Sequence, residues 1–79
     1  MRTQVKLFSV LRQYVPNYDS DLGVFVELPA HATVQDLLTS LNIPEKKKPV
    51  VTCDGRVLKR DTAVKEGSIL HVFQPVAGG

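Results

Sequence analysis

Residues 33–44 read TVQDLLTSLNIP and contain the strongest helix signal in the chain. Apolar side chains recur there at i, i+3, i+4 and i+7, which places them in one stripe on a helix. They are Val34, Leu37, Leu38 and Leu41. Thr33 is the predicted N-cap, and Asp36 stands at the capping-box position, where Glu or Gln is the stronger partner. Asn42 and Pro44 end the helix. The pattern predicts one helix that packs its apolar face on another layer.

Five short segments around this helix have the alternation and β-branched content of strands. They are residues 3–10, 24–28, 49–53, 56–59 and 69–73. Residues 11–15 are expected to form a short helical turn. Asp54 and Gly55 predict a two-residue hairpin, because both central positions of that turn favour positive φ. The order β-β-α-β-β-β predicts an α+β fold, with a mixed five-stranded sheet packed on one helix.

Composition excludes several classes of function. The chain has 79 residues, with 43% hydrophobic and 23% charged residues, which is typical of a single globular domain. A net charge of +2, without dense basic patches interleaved with aromatics, argues against nucleic-acid binding. Residues 1–4 lack the apolar core of a signal peptide, and no apolar run reaches membrane-spanning length. We therefore expect a cytoplasmic protein, monomeric when free, with no nucleic-acid or membrane partner.

Catalytic and metal-binding patterns are weak. Cys53 lies in a β-branched run and is interpreted as a half-buried small apolar residue. His31 is expected in an exposed loop and is assigned no role. A zinc site needs several ligands, and one cysteine with two distant histidines makes a poor set. Without a nucleophile–base pair or an acidic pair, the chain is not expected to be an enzyme or to hold a bound cofactor.

The end of the chain has a distinctive composition. Residues 74–79 read QPVAGG and follow the last predicted strand, so we divide the chain into a domain at 1–73 and a flexible tail at 74–79. Fully extended, such a tail spans about 20 Å. The side-chain-free Gly78 and Gly79 accept almost any backbone angle, so the tail would fit a narrow tunnel and deliver its carboxylate to a partner. The predicted threading residues are Pro75, Val76, Ala77 and Gly78. The alternative is a frayed end without function.

The element order and the two final glycines resemble the ubiquitin-like β-grasp fold. Residues 68–79 have a pattern close to the last strand and tail of ubiquitin. Residues 73–79 are more similar to the tails of prokaryotic sulfur carriers, namely the molybdopterin synthase small subunit and the thiamine-biosynthesis sulfur carrier. Residues 5–12 resemble the opening of the molybdopterin subunit, and residues 28–38 resemble the family's strand-to-helix passage. The middle of the chain favours the thiamine branch, so the pathway stays open.

The resemblance implies a chemistry for Gly79. In this family a ubiquitin-activating-type enzyme adenylates the terminal carboxylate with ATP and magnesium. A persulfide from a donor of cysteine desulfurase or rhodanese type then displaces AMP and leaves a thiocarboxylate. The sulfur goes to a precursor of molybdopterin or thiamine thiazole, or to a tRNA base. The implied partners are the molybdopterin synthase large subunit or thiazole synthase, and this chain acts as their carrier or small subunit.

The resemblance also implies that the first and last strands pair in parallel at the centre of the sheet. If their alternate apolar residues face the helix, then Phe8, His71 and Phe73 face outward. We interpret these three as a partner-docking patch, because exposed aromatics are costly unless something covers them. The alternative is that Phe8 or Phe73 folds over the sheet edge or packs near Tyr18. A one-residue register slip would reverse the faces.

Two basic clusters are visible in the sequence. Arg56, Lys59 and Arg60 either steer an acidic partner or are solvated charges. Residues 46–48 are three lysines, which we interpret as solvated loop charges.

Two other functions stay open on the sequence alone. The alternatives to a sulfur carrier are a protein modifier that forms isopeptide bonds through Gly79 and a β-grasp binding module without tail chemistry.

Overall fold

The computed structural model describes residues 1–75. Its strands are β1 (Arg2–Leu7), β2 (Val24–Glu27), β3 (Val50–Cys53), β4 (Arg56–Leu58) and β5 (Ile69–Phe73), and its α-helix is α1 (Val34–Ser40). Two 3₁₀ helices span Ser9–Tyr14 and Glu45–Lys47. Val76, Ala77, Gly78 and Gly79 lie outside the described residues. The flexible tail and its threading role therefore stay predictions.

The strands form one sheet in the order β2-β1-β5-β3-β4. The central pair, β1 and β5, is parallel, with Val5 opposite Leu70 and Leu7 opposite Val72. The β1–β2, β5–β3 and β3–β4 pairs are antiparallel. The predicted α+β fold, a mixed five-stranded sheet with one helix in the β-grasp arrangement, is confirmed.

The core lies between the sheet and α1. Alternate residues of the two central strands, among them Val5, Leu7 and Val72, face the helix and are at most 1% exposed. The helix contributes Val34, Leu37 and Leu38, each fully buried. Burying such side chains is worth about 1.5–3 kcal/mol each, before the entropy cost of ordering the chain. The prediction of which side chains of the central strands face the helix is therefore confirmed.

The start and end of α1 follow the sequence signals. The Thr33 hydroxyl accepts a hydrogen bond from the Asp36 amide at 3.2 Å, and the Asp36 carboxylate accepts one from the Thr33 amide at 2.9 Å. This is a complete capping box, with Asp as a working partner. Asn42, at φ 60°, turns the chain out of the helix at the predicted place.

The prediction that the first strand reaches Val10 is wrong. β1 ends at Leu7, because Ser9 has a φ of 56° and begins a 3₁₀ helix that runs to Tyr14. That helix buries Leu11 completely in the core, which a continued strand would not do. The short helical turn predicted at residues 11–15 is confirmed as part of this 3₁₀ helix, which begins two residues earlier and ends one residue earlier than predicted. The other strands differ from prediction by at most one residue at an end, and Asp54 and Gly55 have the predicted positive φ values of 52° and 79°.

No helix within residues 1–75 combines the length and the apolar character needed to cross a membrane.

Candidate functional site

Three of the aromatic side chains on the sheet face that α1 leaves uncovered lie towards the end at which the chain leaves β5, whereas Phe25 lies at the far end. Phe8 stacks on the imidazole of His71, with ring centroids 5.8 Å apart and an interplanar angle of 27°. Phe8 is 39% exposed, and His71 and Phe73 are half-buried. The outward orientation predicted for these residues is confirmed. Their role in docking stays a prediction. We call Phe8, His71 and Phe73 the aromatic patch.

The aromatic patch lies where the chain leaves the sheet. Phe73 is the last residue of β5, and the amide of Phe8 donates to the carbonyl of Val72 at 3.2 Å. Pro75, two residues beyond the strand, is exposed. A protein that covers the patch would therefore meet the root of the predicted tail.

The backbone beneath the patch is held by Tyr18. Its phenol oxygen accepts a hydrogen bond from the Leu7 amide at 2.7 Å and lies 3.2 Å from the Leu7 carbonyl, to which it donates. Arg12 donates from Nε to the same carbonyl at 3.3 Å, and its guanidinium lies over the Tyr18 ring at 6.0 Å. These contacts fix the end of β1, so that Phe8 is presented on the open face. Tyr18 was considered above only as a packing partner. The signal that could have identified its role is a lone aromatic hydroxyl in a polar loop.

The loop that carries Tyr18 is itself tightly built. Amides of Leu22 and Asp21 donate to the Asp19 carboxylate at 2.9 and 2.8 Å, and these hydrogen bonds lower the pKa of Asp19 below its ordinary value of 3.8. Gly23 closes the turn at φ 74°, donating to the Asp19 carbonyl at 2.7 Å. A Cβ at Gly23 would lie 2.3 Å from the Val5 carbonyl oxygen, so the close approach to β1 requires glycine.

The three predicted steering residues do not share one environment. Arg60 donates from its guanidinium to the carboxylate of Glu45 at 3.2 Å and to the Pro49 carbonyl, so it holds the segment after β4 to the segment before β3. Arg56 and Lys59 are exposed, and neither forms an ion pair within the described part of the chain. Arg60 has a structural task. Steering of an acidic partner stays a prediction for all three residues.

Potential metal ligands do not converge in the described residues, where no three His, Cys, Asp or Glu side chains form a group. Cys53 is half-buried and packs against the core, which agrees with its interpretation as a small apolar residue. His31 is exposed, with a φ of 68°.

With the fold and the patch established, comparison with known proteins identifies the family. The ThiS family model matches residues 5–79, nearly the whole sequence and including both final glycines. The chain belongs to the ThiS family. Members of this family are small ubiquitin-like carriers that work with activating enzymes and synthase partners.

Solved structures support the fold of this ThiS-family chain. A protein from Pyrococcus furiosus assigned as molybdopterin converting factor subunit 1 is 28% identical, with a TM-score of 0.69 over 95% of this chain and 98% of its own. SAMP1 from Haloferax volcanii is 24% identical, with a TM-score of 0.72 over the full length of both chains. A second crystal structure of that small archaeal modifier protein 1 also gives 24% and 0.72, over 95% of this chain and 98% of its own. At that identity the likeness to SAMP1 shows the fold alone. No curated protein matched the sequence.

The resemblance to sulfur carriers deduced from the sequence is therefore confirmed at the level of family and fold. For this ThiS-family chain, the patch and the predicted tail together form the candidate site. The described residues that link the two are Phe73, at the end of β5, and the exposed Pro75.

Proposed function

We propose that this chain is a sulfur carrier whose Gly79 carboxylate is adenylated and then converted to a thiocarboxylate. The observation that carries the proposal is the family match over residues 5–79, which extends through the two final glycines. The aromatic patch at the root of the tail supports it, because a carrier must dock on its activating enzyme while its end reaches that enzyme's active site.

The chemistry requires little of the carrier beyond an accessible end. A carboxylate oxygen of Gly79 attacks the α-phosphorus of magnesium-bound ATP, which releases pyrophosphate and forms an acyl adenylate. The terminal sulfur of a partner's persulfide attacks the acyl carbon and expels AMP, giving an acyl disulfide. A thiol then attacks the partner's sulfur, so that a disulfide and the Gly79 thiocarboxylate separate. The two electrons that reduce the transferred sulfur come from this thiol, which ends in the disulfide.

Docking on the activating enzyme is assigned to the aromatic patch. Phe8, His71 and Phe73 present apolar area next to Lys6, and covering such area is favourable by about 25 cal/mol per Å². Arg56 and Lys59 would speed the encounter with an acidic partner. Pro75, Val76, Ala77 and Gly78 would then thread the enzyme's tunnel.

The receiving pathway is proposed to be molybdopterin or thiamine biosynthesis, or a related thio-cofactor route. The likeness to the Pyrococcus furiosus protein favours the molybdopterin branch, and the match to the ThiS family model does not separate the two. Affinity purification of the tagged chain from its own cells would separate them. A pterin-binding large subunit supports the first, and a thiazole synthase supports the second.

A protein modifier would use the same activated carboxylate, with a lysine amine in place of the persulfide. Immunoblots of a tagged chain distinguish the two. Covalent ladders that vanish on removal of Gly79 would favour the modifier.

Activation itself is tested by exchange of labelled pyrophosphate into ATP, catalysed by the activating enzyme purified with the chain. Exchange should require the carrier and should be lost when Gly78 and Gly79 are deleted. A deleted chain that supports full exchange would contradict the proposal.

A further inference from the structure

A second surface lies at the opposite end of the sheet from the tail. It is a groove of about 510 Å³ between the β3–β4 hairpin and residues 62–68. Its floor is apolar and formed by Leu58, Val64 and Leu70. The strand β5 begins beside it at Ile69 and ends at Phe73, so about 13 Å of strand separates the groove from the root of the tail. The groove lies on the face towards which Leu70 points, away from the aromatic patch.

The rim of the groove carries two cationic side chains and one carboxylate. Arg56 and Lys65 line it and are exposed, whereas Asp54 is the carboxylate among its lining residues. The ion pairs found within residues 1–75 join Arg2 to Glu27 and Arg60 to Glu45, so both rim cations lack an acidic partner there. Thr62 and Ser68 add hydroxyl groups to the lining. An occupant with apolar groups and carboxylates would complement this surface.

One wall of the groove is the free edge of the sheet. Among residues 1–75, β4 is last in the strand order and pairs only with β3. In the described residues, no backbone hydrogen bond outside that ladder involves residues 56–58. An extended peptide adds readily to such an edge, because its own amides and carbonyls satisfy the unpaired backbone groups.

Alternation along β4 matches this mode of binding. Arg56 and Leu58 point to the groove, whereas Val57 is 71% exposed on the opposite face. A strand laid beside β4 would alternate in the same way, so that every second side chain enters the groove or meets its rim.

We propose that the groove binds an extended acidic and apolar peptide segment of a partner protein, which pairs with the free edge of β4. Apolar side chains of the segment cover Leu58 and Leu70, and its carboxylates meet Arg56 and Lys65. The site needs neither Gly79 nor the aromatic patch, so a partner bound there leaves both free. One protein can therefore bind the carrier at the groove while another acts on its tail.

The test uses the full chain, labelled with ¹⁵N, and a defined probe. The probe is a heptapeptide that alternates valine with aspartate or glutamate, and its matched control carries lysine in place of each acid. With the acidic peptide, amide shifts should change at residues 53–58 and 62–68, and the amides of β4 should exchange more slowly. The acidic peptide should bind at least tenfold more tightly than the basic one, as measured by fluorescence anisotropy.

Charge reversal locates the site. The double variant Arg56→Glu, Lys65→Glu should weaken binding at least tenfold, whereas the matched pair Lys46→Glu, Lys47→Glu should change it less than twofold. A chain that ends at Pro75 should bind as the full chain does, which separates this proposal from the tail chemistry. Equal losses in the two double variants, or no shift changes at residues 53–58 with millimolar acidic peptide, would overturn it.

Discussion

The ring of Phe8 lies stacked against the imidazole of His71, although the two residues are 63 positions apart in the sequence. The parallel pairing of β1 and β5 brings them together, since Lys6 is paired with His71 and Phe8 follows two residues later on the same face. The positive φ of Ser9 then turns the chain away, so Phe8, the first residue after β1, stays on the surface. The fold thus places an aromatic pair beside the start of the tail.

The first prediction concerns this pair. Phe8→Ala should weaken binding to the activating enzyme by about 1–2 kcal/mol, or roughly tenfold, because it removes exposed apolar area and the stacked ring. Isothermal titration calorimetry measures the dissociation constant. The control is Phe25→Ala, since Phe25 is 45% exposed on the same face but lies opposite Gln4, at the far end of the sheet. A similar loss of affinity in both variants would contradict a specific role of the aromatic patch in docking.

Substitution of Gly23 tests the fold, and Gly67 supplies the matched control. Gly23→Ala should lower the free energy of unfolding by more than about 3 kcal/mol, because positive φ and a clash with the Val5 carbonyl act together. Gly67→Ala, at almost the same φ of 75° but in open space, should cost only about 1 kcal/mol. Urea denaturation measures both. Equal costs would show that the close approach of the loop to β1 is incorrect.

Removing one hydroxyl tests the support beneath Phe8. Tyr18→Phe leaves the amide and carbonyl of Leu7 without their phenol partner, which should lower the free energy of unfolding by about 1–3 kcal/mol. Tyr14→Phe is the matched change, because the Tyr14 hydroxyl makes no hydrogen bond to the described residues, and it should cost less than about 0.5 kcal/mol. Thermal or urea unfolding compares them. A neutral Tyr18→Phe would contradict the assigned support.

The contribution of Asp19 to stability should depend on pH. Its pKa is lower in the folded chain, so its charged form stabilises the fold above the unfolded pKa, and this stabilisation is lost as pH falls through the folded value. The wild type should therefore be more stable than Asp19→Asn at about pH 6, and the gap should close on acidification towards about pH 2. Unfolding curves across that range measure the gap. A gap independent of pH would contradict the account.

Much of the fold could be predicted because local and tertiary signals agree. The apolar stripe from Val34 to Leu41 and the cap at Thr33 predict the helix from local sequence alone. Alternation in the first and last strands fixes which side chains enter the core, and hence that Phe8 and His71 face outward. The hairpin at Asp54 follows from turn chemistry alone.

The errors have a common physical origin in contacts that only the folded chain creates. Residues 8–10 have a strand-like pattern, but burial of Leu11 favours a 3₁₀ helix. Ser9 adopts a left-handed backbone conformation, which is uncommon for serine and could not be predicted from its residue type. The hydrogen bonds of Arg60 to Glu45 and Pro49 were likewise not predicted from the sequence, whereas its part in steering stays a prediction. Tyr18 acts through the backbone of a residue eleven positions away. Its hydroxyl in a polar loop signals a hydrogen bond, but no local pattern identifies the partner.

The most direct measurement is the intact mass of the chain after incubation with ATP, magnesium, its activating enzyme, a persulfide donor and a thiol. The sulfur-carrier account predicts a gain equal to the replacement of one oxygen by one sulfur, located at Gly79 and absent when Gly78 and Gly79 are deleted. A fully adenylated chain that never gains sulfur, or a gain that survives the deletion, would contradict it.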